Sequence, residues 1–225
     1  LNAAAFYYDY KNLQYQATDP EVFNGGVGNI PASEIFGAEV EFSAFLSDSV
    51  IFDARIAWLD TEITKDRLAL DNVQSEAAGN ALLGQGFDLF SDEIQVARAA
   101  QIQNVNGNEL AKTPSFTGNI ALNWNRDLQS WGEMRSTLQY TYRGEFKHRI
   151  FNNAETDIVP SYSVFDLVVG FYPGSGESWH VDLVAKNLTD ENGINARFTD
   201  VFGVGATGDE LIGPRQLMVR FGMDF

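Results

Sequence analysis

The chain of 225 residues has no cysteine, so it carries no disulfide framework, no thiolate metal site and no cysteine nucleophile. It also lacks any run of about 18 or more apolar residues, which excludes a transmembrane helix. Basic residues are few, 15 Lys and Arg against 31 Asp and Glu, and the formal charge of -16 disfavours nucleic acid as a partner. Histidine occurs only at His148 and His180, and no Ser, His and Asp spacing marks a nucleophile with its base. No enzymatic activity, resident metal or cofactor is expected. No basic, apolar leader opens the chain, so any signal peptide is expected to lie upstream or to have been removed. Taken alone, a mean hydropathy of -0.18 describes a soluble acidic protein.

What is present contradicts that average. Leu217, Val219, Phe221, Met223 and Phe225 occupy alternate positions of the last stretch, with mostly polar or small residues between them. A strict two-residue period describes a strand with one apolar and one wet face. The same alternation recurs in Trp179, Val181, Leu183 and Ala185, in Phe165, Leu167, Val169 and Phe171, and in Met134, Leu138, Tyr140 and Tyr142. It recurs again in Phe116, Ile120, Leu122 and Trp124, in Val50, Phe52, Ala54, Ile56 and Trp58, and in Phe36, Ala38, Val40 and Phe42. Residues 1–15 are also extended, but the aromatic residues Phe6, Tyr7, Tyr8 and Tyr10 leave their facing open. The count is about eight strands, each of the roughly 9–11 residues that cross a membrane when tilted. Only every second residue of such a strand meets lipid, so average hydropathy misleads.

The connections alternate in length as well. Those around Asp48, around Ser130 and around Gly174 are short and turn-like, whereas 17–33, 64–114, 150–160 and 190–214 are long. Short turns on one side and long loops on the other match the periplasmic and extracellular ends of a bacterial outer-membrane barrel. Trp124, Tyr172 and Trp179 beside short turns and Trp58 toward a long loop form candidate aromatic girdles. Within the longest loop, 68–73 and 97–102 are expected to form short helices. A loop of that length is uncommon without a function, so it is expected to cap the outer mouth and help select or trap substrate.

Several stretches resemble the C-terminal barrel portion of TonB-dependent outer-membrane receptors. They are the aromatic opening strand from Leu1 to Leu13, the Gly37, Glu39 and Glu41 strand, the re-entry points Thr113-Pro114-Ser115-Phe116 and Pro160-Ser161-Tyr162, and Lys186-Asn187-Leu188-Thr189-Asp190 with Gly213-Pro214-Arg215. The resemblance implies an all-β, transmembrane antiparallel barrel segment that closes a barrel of roughly 22 strands with a plugged lumen. It also implies the remaining strands and a plug domain as partners, upstream or on a separate chain, and a TonB complex engaged through a region absent here. Such receptors import scarce, bulky nutrients of the siderophore, cobalamin or oligosaccharide class. Phe225 resembles the terminal aromatic that serves barrels as an assembly signal.

The alternation places Arg55, Arg135, Arg143, Asp166, Asp182, Lys186 and Arg220, with Asp53, on the lumen side. They are candidates for a translocation path or a plug contact, against a mutually neutralising wall network. Gly37 is expected to leave room for a large neighbour, Pro114, Pro160 and Pro214 to open strands, and Asn187 with Asp190 to end one. Acidic loop residues including Glu21, Asp66, Asp71, Glu76, Asp200, Asp209 and Glu210 are expected to keep exposed loops soluble, or to bridge through divalent ions to lipopolysaccharide. Outer-membrane lipid is the expected surround. The competing readings are a self-contained eight-stranded barrel acting as anchor or small pore, a barrel lipid enzyme and a soluble barrel or sandwich.

Overall fold

The computed structural model describes residues 1–18, 25–174, 178–200 and 205–223. β-Branched and aromatic residues in alternation favour a pleated strand wherever one face meets an apolar medium. Eight long strands follow it: β1 (Asn2–Thr18), β2 (Gly25–Ser47), β3 (Val50–Ile63), β4 (Phe116–Asp127), β5 (Gly132–Arg143), β6 (Tyr162–Pro173), β7 (Trp179–Lys186) and β8 (Gln216–Met223). Each pairs antiparallel with its successor, giving a meander in chain order. β1 and β8 stand at opposite sides of this wall and do not pair with each other among the described residues, so the eight strands form an open wall. Among the described residues the free edge of β1 meets a short ribbon, Leu68–Leu70 with Ile102–Asn104, through Thr18 opposite Leu70.

Residues directly opposite across an antiparallel ladder share a face, so register sorts the side chains. Phe52, Leu122, Leu138, Leu167, Ala185 and Leu217 form one continuous apolar row across six strands. Glu41, Arg55, Asn119 and Thr141 form a row on the other face, as do Arg135, Gly170, Asp182 and Arg220. The facing of β1 is resolved by the same logic. Phe6 lies opposite Gly37 and Tyr8 opposite Ile35, on the polar face, while Tyr7 lies opposite Phe36 on the apolar one.

The short turns are built locally. In the β4–β5 turn the Asp127 carboxylate accepts the Gln129 N–H at 2.7 Å, and a single turn of 3-10 helix, Gln129–Trp131, leads to Gly132. Gly132 has φ 121, and a Cβ there would lie 2.1 Å from the Tyr172 carbonyl oxygen, so both backbone and neighbour demand glycine. Strands β4, β6 and β8 each open two residues after Pro114, Pro160 or Pro214, where no ladder donor is lost.

Two expectations about the long connections are corrected. Residues 17–33 are mostly not a loop: β1 runs to Thr18 and β2 starts at Gly25, and their ladder skips only Asn12 and Pro31. The Gly and Pro content of that stretch reads as loop, yet Asn12 at φ 58 lies opposite Pro31, and the pairing resumes beyond them. In the longest connection, 68–73 begins as a strand and 97–102 ends a helix. The helices are α1 (Asn72–Leu83), capped by the Asp71 carboxylate on the Val73 and Gln74 N–H groups, and α2 (Asp92–Ala99), capped by Ser91. α1 and α2 approach closely at Gly79, where a Cβ would lie 2.5 Å from Arg98 Nε, and Arg98 pairs with Glu76 at 2.9 Å. The connections from β5 to β6 and from β7 to β8 contain small ribbons, Phe146–Lys147 with Ile158–Val159 and Ile194–Thr199 with Thr207–Leu211.

The buried apolar core lies under the long connections and not inside the wall. Ile30, Ile63, Ala69, Val105, Leu110 and Ile150 form it, with Leu13, Tyr15, Ile35 and Phe151 packed against them. Ile35 and Ile63 share the face of Glu41 and Arg55 by register, so the connections bury apolar side chains of the polar face at the strand ends. No helix among the described residues is long and apolar enough to cross a membrane.

Candidate functional site

The polar face of the wall is a set of paired charges. Lys186 meets Asp166 at 2.8 Å and Arg220 meets Asp182 at 2.7 Å, the latter carboxylate being only 2% exposed. Arg55 lies 3.5 Å from Glu41, and Asn123 donates to Asp53 at 2.8 Å. Arg135 meets Glu133 at 2.7 Å and stands 4.4 Å over the Tyr172 ring, which stacks on His180. Arg143 donates to the carbonyls of Ile194 and Asn195, tying the wall to the β7–β8 connection. All seven lumen-side candidates therefore share one face, and six of them have a side-chain counterion.

Of the girdle candidates, Trp58, Trp124 and Trp179 are on the apolar face, each in ladder with apolar neighbours or Ser136. Tyr172 is a correction. It lies opposite Glu133 on the polar face and holds Arg135, because the apolar row of β6 runs through Phe165, Leu167, Val169 and Phe171. Proximity to a turn located its height but not its facing. Phe225 falls outside the described residues, as does Glu21.

A second constellation joins all three folded connections, and the sequence reading did not assemble it. Arg149, 9% exposed at its side chain, donates to Asp71 at 2.6 Å and lies 2.6 Å from Asp157, both carboxylates being fully buried. His148 Nε2 lies 2.8 Å from the Thr199 hydroxyl and Nδ1 3.1 Å from the Asp157 carbonyl oxygen. Asn72 donates to the Asp200 carbonyl at 2.7 Å, and Arg197 bonds both Asp209 and the Ile158 carbonyl. Asp71 is thus no solubilising surface acid; it caps α1 and anchors the clasp. Burial pushes the His148 imidazole below its ordinary range, and Arg149 and Arg197 act in the same direction, while Asp157 opposes them. The Arg197 hydrogen bond holds the Asp209 carboxyl below the usual carboxylate range.

Beneath this clasp lies a cavity of 640 Å³. Tyr10, Leu13, Gln14 and Gln16 of β1 and Ile35 of β2 form its wall side, and Leu110, Lys112, Arg149, Phe151, Arg197 and Phe198 come from the connections. Its size is typical of a pocket for one organic molecule, about 300–1,000 Å³. The only sequence signals for it were the length of the connections and the aromatic, amide-rich end of β1. Asn187 behaves as expected: it is buried, accepts the Glu191 N–H and donates to the carbonyls of Glu191 and Gly213, which fixes the exit from β7.

No curated protein sequence matches the chain. Among solved structures, the ferric yersiniabactin uptake receptor FyuA from Yersinia pestis superposes with a TM-score of 0.67 at 15% identity, over 99% of this chain and 27% of that one. The siderophore receptor PiuA from Acinetobacter baumannii gives 0.63 at 15% identity, over 97% and 25%. The unliganded ferric citrate transporter FecA gives 0.64 at 14% identity, over 99% and 28%. At such identities the likeness speaks for the fold, and the chain spans about a quarter of the length of these proteins. A family model described as TonB dependent receptor-like, beta-barrel matches residues 1–188, from the first wall strand through the end of β7. With the match covering most of its length, the chain belongs to the TonB-dependent receptor β-barrel family.

Proposed function

We propose that this segment supplies wall, lumen lining and outer cover to an outer-membrane receptor that actively imports a bulky, scarce nutrient. The observation that carries the reading is the open two-faced wall: an apolar row six strands wide on one face, paired charges on the other, and an edge on each side with no full-length partner among the described residues. Such edges are untenable in a bilayer, where every backbone group needs a hydrogen-bond partner. Further strands, to roughly 22 in all, satisfy them, and a barrel of that size needs a plug. The eight strands of the rival self-contained barrel would have to close on themselves, and the lack of pairing between β1 and β8 weighs against it.

In this reading the long connections are extracellular and the short turns periplasmic. The residues Arg55, Arg135, Arg143, Asp166, Asp182, Lys186 and Arg220 line the lumen and meet the plug, and energy arrives through a TonB complex bound elsewhere in the receptor. The longest connection, with α1 and α2, covers the outer mouth. Lipid and lipopolysaccharide surround the apolar face and its rim.

No thiol of this segment competes in a topology test, with the unsubstituted receptor as the labelling control. Single substitutions Phe90→Cys in the longest connection and Ser47→Cys in a short turn are treated in intact cells with a membrane-impermeant maleimide. The reading expects labelling of the first and none of the second until cells are lysed. Deleting the receptor must also abolish an energy-dependent uptake; uptake that is unchanged removes the transport role.

A further inference from the structure

We infer that the cavity under the clasp takes an uncharged cargo, a molecule with apolar or aromatic faces and hydrogen-bonding oxygens. The inference rests on the import reading and names the class of nutrient for it. Three cationic side chains line the cavity, Lys112, Arg149 and Arg197, and among the described residues no Asp or Glu does. Such a lining first suggests an anion site. The partners of the guanidiniums reverse that reading. Arg149 is held by Asp71 and Asp157, and Arg197 by Asp209 in a two-pronged pair at 2.6 and 2.9 Å. Asp71 and Asp157 stand behind Arg149 and Asp209 behind Arg197, so the three carboxylates match the three lining cations in number and the local formal charge balances.

An anionic cargo meets one lining cation without a carboxylate partner among the described residues, Lys112, and to gain a second it would have to draw a guanidinium away from its carboxylate. For Arg149 that strands Asp71 and Asp157, both fully buried, without their countercharge, so the exchange gains nothing. A cationic cargo meets no carboxylate among the described lining residues and would be desolvated without compensation. An uncharged molecule loses least on entry. What the lining offers it is of the same kind: the Tyr10 hydroxyl, the amides of Gln14 and Gln16, and the apolar surfaces of Leu13 and Phe198. Tyr10 is 43% and Phe198 55% exposed, two large aromatic surfaces, one from the wall and one from a connection, that a bound molecule would cover.

The test uses the full-length receptor in detergent and three defined probes: a neutral ferric tris-hydroxamate chelate, a trianionic ferric tris-catecholate chelate of similar size and neutral maltohexaose. Titration calorimetry is expected to give at least one neutral probe a Kd about tenfold or more below that of the trianion. Phe198→Ala is expected to weaken that neutral probe by about tenfold. Asp209→Asn frees Arg197, so it is expected to move the preference about tenfold toward the trianion. Asp209 sits in an exposed ribbon, and circular dichroism verifies that both variants fold. Tightest binding by the trianion, no binding by either neutral probe, or a preference untouched by Asp209→Asn overturns the inference. If the trianion binds tightest and energy-dependent uptake persists, only the uncharged-cargo inference falls. If no probe binds and deletion leaves uptake unchanged, the import reading falls with it.

Discussion

The guanidinium of Arg149 reaches the carboxylate of Asp71 at 2.6 Å across 78 residues of chain, and the contact is closed to solvent on both sides. One side chain therefore holds the start of α1 against the β5–β6 connection. Arg149→Met leaves Asp71 and Asp157 buried without their cation, and the expected cost to the folded cover is about 3–5 kcal/mol. Limited proteolysis should then cut within 64–115 in the variant and spare the parent. Neutralising the whole set, with Asp71→Asn and Asp157→Asn added, should restore most of the protection, since asparagine also caps a helix well.

The same clasp is expected to loosen in acid. Burial lowers the His148 pKa in the folded cover from its ordinary 6.5, so the unfolded connections bind the proton more readily than the folded ones. The stabilisation is present in full above that ordinary value and is lost as the pH falls below it. Asp209, held low by Arg197, acts in the same direction at lower pH, its contribution fading as the pH falls through its folded value. Amide hydrogen-exchange protection factors of the β5–β6 and β7–β8 connections, taken relative to the intrinsic rate at each pH, should fall between about pH 7 and pH 5, and His148→Asn should remove that part of the dependence.

The wall was legible in the sequence because its signal is local. Each strand writes its own two-residue period, and Leu138 or Leu183 declares its face without reference to any other strand. The facing of β1 was not legible, since Phe6, Tyr7, Tyr8 and Tyr10 present aromatics on both sides; only their ladder partners Gly37, Phe36 and Ile35 sort them. Tyr172 failed for a related reason, its position beside a turn being consistent with either face. The clasp was invisible because its members are scattered from Asp71 to Asp209 and each alone reads as an ordinary loop charge. Registers and periods are properties of neighbours in sequence, whereas burial of Asp71 depends on two connections that arrive far later in the chain.

Charge pairs on the polar face should differ sharply in value despite similar chemistry. Arg55 and Glu41 are 74% and 59% exposed and 3.5 Å apart, so Arg55→Ala should change stability by at most about 1 kcal/mol. Asp182 is 2% exposed and among the described residues its partner is Arg220, so Arg220→Ala leaves a buried carboxylate unpaired, at about 1–3 kcal/mol. Thermal unfolding of the two variants, compared with the parent, decides it; equal shifts would contradict the role assigned to burial.

Gly37 and Phe6 offer the sharpest steric test. The Phe6 ring occupies the space over the glycine on the polar face, and a Cβ at 37 would come within 2.3 Å of Phe6 Cζ and 2.9 Å of Leu59 Cδ2. Phe6 is itself held by Tyr8, centroid to centroid 5.2 Å, and Tyr8 by Tyr10 at 5.8 Å, so the ring has little freedom to retreat. The backbone at 37 is ordinary extended strand, so alanine there carries no conformational penalty and the whole cost is crowding, about 1–3 kcal/mol. Gly37→Ala should therefore lower the midpoint of thermal unfolding in the parent. In a Phe6→Ala background the same change should cost much less, leaving a coupling of about 1 kcal/mol or more between the two sites. Additive effects would mean that β1 and β2 do not meet in the register that sets Phe6 opposite Gly37, and the assignment of Tyr8 and Tyr10 to the polar face would fall with it.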